Sequence, residues 1–258
     1  MASAPPSGLP LFYNRLEPLS SSQHADFVLR RVEGARFLAN THAVPLTVEE
    51  FGLAQRFYPI VFSVGPNPVP LALMGLNEGV NMFVDAEGKL TGETYMPAYV
   101  RRYPFMLARL QQNSEELSLC FDPTAEAVAA EGEGDRLFVD GQPSDATRGI
   151  LGFCEQFEQA GQRTAAFMKE LADLKLLIDG EVAIQPEGAP QPFVYRGFQM
   201  VSEEKLRELR GDQARKLIQN GLLALVYAHL FSLSLIRDLF ARQMEAGQVP
   251  QQQPTLQA

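Results

Sequence analysis

The chain is short of the residues on which most catalytic chemistry rests. Among 258 residues it carries two cysteines, Cys120 and Cys154, and three histidines, His24, His42 and His229. The cysteines lie far apart with no C-x-x-C spacing, which argues against a zinc site, a thioredoxin-type pair and a disulfide scaffold and fits a reducing cytoplasm. The histidines form no H-E-x-x-H or comparable pair, so no metal site is expected. A facial iron triad would need His24 or His42 to meet His229 through tertiary contact. No G-x-S-x-G elbow occurs, because Ser7, Ser63 and Ser144 stand near glycines without that frame. No P-loop or G-x-G-x-x-G occurs either. The nearest Gly-rich piece, Gly75 to Gly79, opens into a strand and offers no helix N-terminus to a phosphate. No catalytic residue and no cofactor is expected, and the balance leans away from an enzyme.

Cations are also scarce. Twenty-two Lys and Arg against 31 Asp and Glu give a net charge of −9 and a pI near 4.9. A phosphate-neutralising surface needs clustered cations, so no nucleic-acid partner is expected. The N-terminus has no basic residue before Arg15 and no apolar core of signal-peptide length, so a cytoplasmic location is expected.

What is present is an ordinary globular composition, 46% hydrophobic and 21% charged, enough to bury a core. Residues 1–19, rich in Pro and Ser, read as a flexible lead-in, and 247–258, rich in Gln and Pro, as a disordered tail. Between them, 20–246 is expected to form one domain, strand-rich over 20–144 and helix-rich over 145–246. The first part holds short apolar runs, FVLRR, YPIVFSV, PLALMGL, NMFVD, ELSLCFD and RLFVD, punctuated by turns such as Asp85–Gly88 and Asp140–Gly141. A short helix over Val48–Phe57 interrupts them. The acidic AEAVAAEGEGD segment before Leu137 reads as a mobile loop.

From Asp145 onward the period changes to 3.6. Ile150, Phe153, Phe157, Gly161, Thr164, Met168, Leu171 and Leu174 line one face of a long helix, and Cys154 on or beside that face reads as a small buried hydrophobe. A hairpin follows, EVAIQ with FVYRGFQMV, and then a short helix capped by Ser202. The last helix, Asp212 to Ala246, contains Gly221–Ile236, which is apolar on every face. That run falls short of the roughly twenty residues a bilayer requires and carries His229, so burial in protein is expected in place of a membrane span. His229 reads as a core histidine bonded to a neighbour such as Ser232. The fold class is α+β, a largely antiparallel N-terminal sheet packed against two long C-terminal helices.

The segments RFYPIVFS, VPLALMGLNEGVNMFVD, PAYVRRYPFML, RLFVDGQPS, RGFQMVSEEKLREL and GLLALVYAHLFSLSLIRDL together resemble the SapC family of bacterial proteins, in order from about residue 20 to 242. The resemblance implies a connection with the cell envelope or surface layer and no established catalytic residue. Cell-surface association would then require a non-classical route.

The residues best suited to recognition are an arginine pair among aromatics: Tyr99, Arg101, Arg102, Tyr103, with Tyr95 and Phe105 beside them. Guanidinium groups present a fixed donor fork and stack on rings, so this set suits a small anionic ligand. In a strand the two arginines would point to opposite faces, and the plain alternative is that they neutralise Glu78 or Asp85. Glu78 and Asn81 sit in a turn, with the same ambiguity. Two readings follow. One is a non-catalytic binding or assembly protein with a protein partner, homo-oligomer included. The other is an enzyme or small-ligand protein whose pocket joins Tyr58, Glu78, Arg101 or Arg102 and His229.

Overall fold

The computed structural model describes residues 8–110, 116–186 and 191–248. In chain order the first half contributes β1 (Glu17–Pro18), β2 (Val28–Leu29), β3 (Ala43–Pro45), α1 (Phe51–Ala54), β4 (Ile60–Ser63), β5 (Pro70–Leu73), α2 (Ala98–Arg102), β6 (Phe105–Arg109), β7 (Leu117–Phe121), β8 (Val128–Ala129), β9 (Asp135–Arg136), β10 (Phe138–Val139) and β11 (Gln142–Pro143). The second half contributes α3 (Asp145–Asp173), β12 (Leu177–Asp179), β13 (Val182–Ile184), β14 (Phe193–Tyr195), β15 (Phe198–Val201), α4 (Glu203–Arg207), α5 (Gly211–Gln219), α6 (Leu222–Ser232) and α7 (Leu235–Glu245). The class is α+β, and every strand pairing is antiparallel.

The largest sheet runs β12-β15-β4-β5-β3, so the central sheet is not N-terminal alone. Two of its strands come from the helix-rich half, with Phe198 opposite Ser63 and Gln199 opposite Phe62. Smaller sheets run β1-β7-β6 and β8-β2-β9, and two hairpins, β10-β11 and β13-β14, stand apart. In β10-β11, Asp140 and Gly141 both adopt positive φ, 50° and 73°, the type I′ turn that an Asp-Gly pair favours.

Helix α3 starts at Ser144, whose side chain accepts the Thr147 N–H, and buries Cys154, Ala160, Thr164, Phe167, Met168 and Leu171. Phe167 meets Phe51 edge-on at 5.8 Å and Phe62 at 6.4 Å. The Thr164 hydroxyl accepts the N–H of Val48 at 3.0 Å, fixing the turn that leads into α1.

Three local expectations are corrected. The final helix is three segments, because Gly221 takes φ 76° between α5 and α6, and Leu233–Ser234 switch to i→i−3 bonding between α6 and α7. The AEAVAAEGEGD segment is ordered: β8 and β9 both pair with β2, and Ala125 and Val128 are buried. The lead-in is packed from Leu11 on, with Tyr13 buried and donating to the Phe105 carbonyl at 2.7 Å. Residues 1–7 and 249–258, on which the remaining terminal expectations fall, lie outside the described residues.

The run Gly221–Ile236 is buried on its inner face only. Val226, Ala228, His229 and Ser232 are inside, while Tyr227 is 42% and Phe231 67% exposed, stacked on each other at 5.6 Å. The stretch Leu222–Glu245 is long and apolar enough to cross a membrane by length and composition, with 33% of its most apolar window buried.

Candidate functional site

The arginine pair lies on α2, not in a strand. Pro97 precedes the helix, a favoured position for proline because no intrahelical N–H is needed there, and PAYVRR then closes one turn. Successive helical residues point about 100° apart, so the two guanidiniums reach separate environments. Arg102 turns inward. It is buried, its guanidinium carbon lies 4.2 Å from the Phe157 ring centre and 5.1 Å from that of Tyr99, and its Nη1 meets Glu158 at 3.4 Å. Its Nε has no hydrogen-bond partner among the described residues. Tyr99 donates to the Leu11 carbonyl, and burial pushes its phenol pKa up. Arg102 and Tyr99 are thus internal packing groups. The partner of Arg102 is Glu158, not Glu78 or Asp85.

Arg101 turns outward. Its guanidinium lies over Phe153 at 5.2 Å and Tyr95 at 5.7 Å, Nε donates to the Met96 carbonyl at 3.1 Å, and Nη2 donates to the Tyr95 hydroxyl at 3.2 Å. Tyr95 in turn donates to Glu50 at 3.0 Å. Glu50 is buried and accepts three more hydrogen bonds, from the N–H and hydroxyl of Thr47 and the N–H of Ala98. The chain Glu50–Tyr95–Arg101 holds the guanidinium in place.

Arg101 and Tyr103 line an open groove of about 940 Å³. Its walls also include Asn14, Arg30, Val32, Glu33, Arg36, Phe37, Lys89, Leu90, Met96, Thr124 and Glu126. The floor is a crossing of two backbones. Ala35 donates to the Gly88 carbonyl at 2.9 Å, and a Cβ on Gly88 would lie 2.3 Å from the Ala35 carbonyl carbon, so the φ of 79° and the close approach both require glycine. The groove is basic within an acidic chain: Arg30, Arg36, Lys89 and Arg101 against Glu33 and Glu126, a net of two positive charges. Lys89 pairs with Glu33 at 3.0 Å and Arg30 donates to the Glu131 carbonyl at 2.9 Å, while Arg36 and Arg101 form no ion pair among the described residues. Tyr103 interacts with buried Asp122. Burial first and then that carboxylate push its pKa up to about 12.

The other anticipated residues lie elsewhere. Tyr58 is a core residue whose hydroxyl donates to the Tyr95 carbonyl and accepts from Thr94, and burial raises its pKa to about 12. Asn81 is a buried clamp, donating to the Leu38 and Thr41 carbonyls and accepting the Phe83 N–H. Glu78 is exposed at its turn and acts electrostatically on His42. His229 is fully buried. The Ser232 hydroxyl donates to its backbone carbonyl at 2.6 Å, while its ring bonds to two strands: Nδ1 meets the Ile60 carbonyl at 2.7 Å and Nε2 accepts the Val201 N–H at 3.0 Å. Burial pushes its pKa down to about 4. The pocket joining Tyr58, Glu78, an arginine and His229 is therefore not formed.

Sequence reasoning missed Arg30, Arg36 and Lys89, which only tertiary folding brings to Arg101. It also missed Glu50, for which Thr47-x-x-Glu50, a capping-box spacing, was a signal. A smaller cavity of about 560 Å³ lies against α7, where Arg56 and Arg242 face Glu93, Asp238 and Glu245. Its charge balance does not favour an anion. Both cysteines are buried, and burial raises both thiol pKa values, Cys154 to about 11. No group of three or more His, Cys, Asp or Glu able to hold a metal occurs among the described residues.

An α+β protein with a basic groove partly lined by apolar side chains is what the fold and the geometry define. The SapC family model matches residues 19–239, and the chain belongs to that family. No curated protein and no solved structure matches the chain.

Proposed function

We propose that this SapC-family protein is a non-catalytic binding protein that recognises an anionic group in the groove between α2 and the β2–β3 segment, and that its setting is the cell envelope or the cytoplasmic face of that envelope. The observation that carries the reading is that two arginines, Arg36 and Arg101, line one groove without an ion-pair partner among the described residues. Arg101 is preorganised by Tyr95 and Glu50, so its remaining donors meet a ligand without a large ordering cost. The non-catalytic part of the reading is supported by the commitments of the other reactive groups. Both nitrogens of His229 are occupied by backbone, and the thiols are buried with raised pKa values.

The test is thermal melting in inorganic phosphate, with chloride at equal ionic strength as reference. Wild type is expected to gain melting temperature with phosphate, and the Arg36→Ala/Arg101→Ala double variant to lose that gain. Arg102→Lys is expected to melt earlier while keeping the phosphate response. An unchanged phosphate response in the double variant would overturn the reading.

A further inference from the structure

We infer that the groove's ligand is an amphiphile, an anionic head carried on a single apolar chain. The inference rests on the reading of Arg36 and Arg101 as the anion-binding groups and adds the chemistry of what lies behind the anion.

Most polar groups of the groove are already committed within the protein. Thr124 Oγ1 donates to Asp122 at 2.7 Å, and Tyr103 is bonded to the same carboxylate. Arg30 is held by the Glu131 carbonyl and Lys89 by Glu33. At the crossing, the Ala35 N–H is taken by Gly88 and the Gly88 N–H by Asp85, so the floor is not a cradle of free N–H groups of the kind that binds polyphosphates. A ligand polar along its whole length, such as a sugar phosphate or a nucleotide, would bring hydroxyls and amides that find no partners here, and each unpaired buried polar group is costly.

The apolar part of the groove is in the opposite condition. Val32 is 39% and Leu90 42% exposed, two large apolar side chains left in water where they line the groove. Phe37, Met96 and Val100 add further apolar lining. Covering it with an alkyl chain removes apolar area from water on both partners. The volume of about 940 Å³ is at the upper end for ligand clefts, which leaves room for a chain as well as a head. Charge sets the orientation: the head meets Arg36 and Arg101, and the chain lies along Val32 and Leu90.

Isothermal calorimetry with three probes tests this: inorganic phosphate, octanol, and octyl phosphate below its micelle concentration. Octyl phosphate is expected to bind at least tenfold more tightly than inorganic phosphate. Val32→Ser/Leu90→Ser is expected to erase that gain and leave phosphate binding as it was, while Arg36→Ala/Arg101→Ala weakens both anions. Equal affinity for phosphate and octyl phosphate overturns the amphiphile and leaves the anion reading standing. Octanol binding as tightly as octyl phosphate overturns both readings, as does failure of all three probes. Vesicles of phosphatidylglycerol then separate the two sources of such a ligand. Cosedimentation that octyl phosphate competes away assigns the chain to a membrane lipid. Octyl phosphate binding with no cosedimentation assigns it to a free amphiphile. A peptide with an acidic end as the true occupant would appear as tight peptide binding that Val32→Ser/Leu90→Ser leaves intact, which also overturns the proposal.

Discussion

His229 ties α6 to two neighbouring strands through one side chain, and its chemistry makes that tie sensitive to acid. The neutral ring donates from Nδ1 to the Ile60 carbonyl and accepts the Val201 N–H at Nε2. A second ring proton would set two N–H groups against each other. Its pKa, about 4 in the fold, lies below the ordinary histidine value of 6.5 because the ring is buried. The unfolded chain therefore takes up this proton first as pH falls. The stability this arrangement contributes is fully present above pH 6.5 and falls progressively down to about pH 4 as the unfolded chain binds the proton that the folded ring refuses, a loss on the order of 3 kcal/mol. Chemical denaturation at pH 7 and pH 4.5 checks this. Wild type should lose stability, and His229→Gln, less stable at pH 7, should lose distinctly less; equal losses would remove His229 from the account. Composition made His229 visible as an unusual residue in an apolar run. Its true partners were hidden, since Ile60 and Val201 lie far away in the chain.

At the scale of elements, α6 shows how periodicity can mislead. The run Gly221–Ile236 is apolar all round, which suggested full burial, yet only one face packs on β4 and β15. Val226→Asp should prevent folding, because an unpaired carboxylate in the core costs several kcal/mol, comparable with the stability of a whole domain. Phe231→Asp, on the outer face, should leave the melting temperature within a few degrees of wild type and reduce retention on a hydrophobic column. Loss of fold in both variants would contradict the one-sided packing. Other elements were legible for local reasons. Asp140-Gly141 marked its hairpin, Ser202 marked a helix start, and α3 announced itself by its period. PAYVRR was misread because a single helical turn between two strands has no period to detect, and β8 and β9 because an acidic, Gly-rich stretch pairs through backbone that composition does not report.

At the scale of the molecule, the main core does not respect the boundary near residue 145. Val44, Tyr58 and Phe62 from the strand-rich part share one cluster with Phe167, Leu217, Val226 and Leu239 from the helical part. Fragments 20–144 and 145–246 should each fail to fold alone, and the full chain should melt in one cooperative step. Two separated transitions by calorimetry, or a folded fragment by circular dichroism, would contradict this. The α+β class could be read from the change of period, whereas the sharing of the central sheet between halves could not, because β15 finds β4 only across more than a hundred intervening residues. The groove was half legible for the same reason: Arg101 and Tyr103 stand together in the chain, while Arg36 arrives from a distant 3-10 turn, Arg36–Leu38. One wall of that groove has a spectroscopic consequence. The chain has no tryptophan and seven tyrosines, and Tyr103 packs at 4.4 Å from Phe37, 5.2 Å from Tyr13 and 6.1 Å from Phe12. Ultraviolet emission and near-ultraviolet dichroism of the unlabelled protein therefore come from tyrosine alone among the strong chromophores, and filling the groove would register there as a change in signal without a dye, a tag or a substitution.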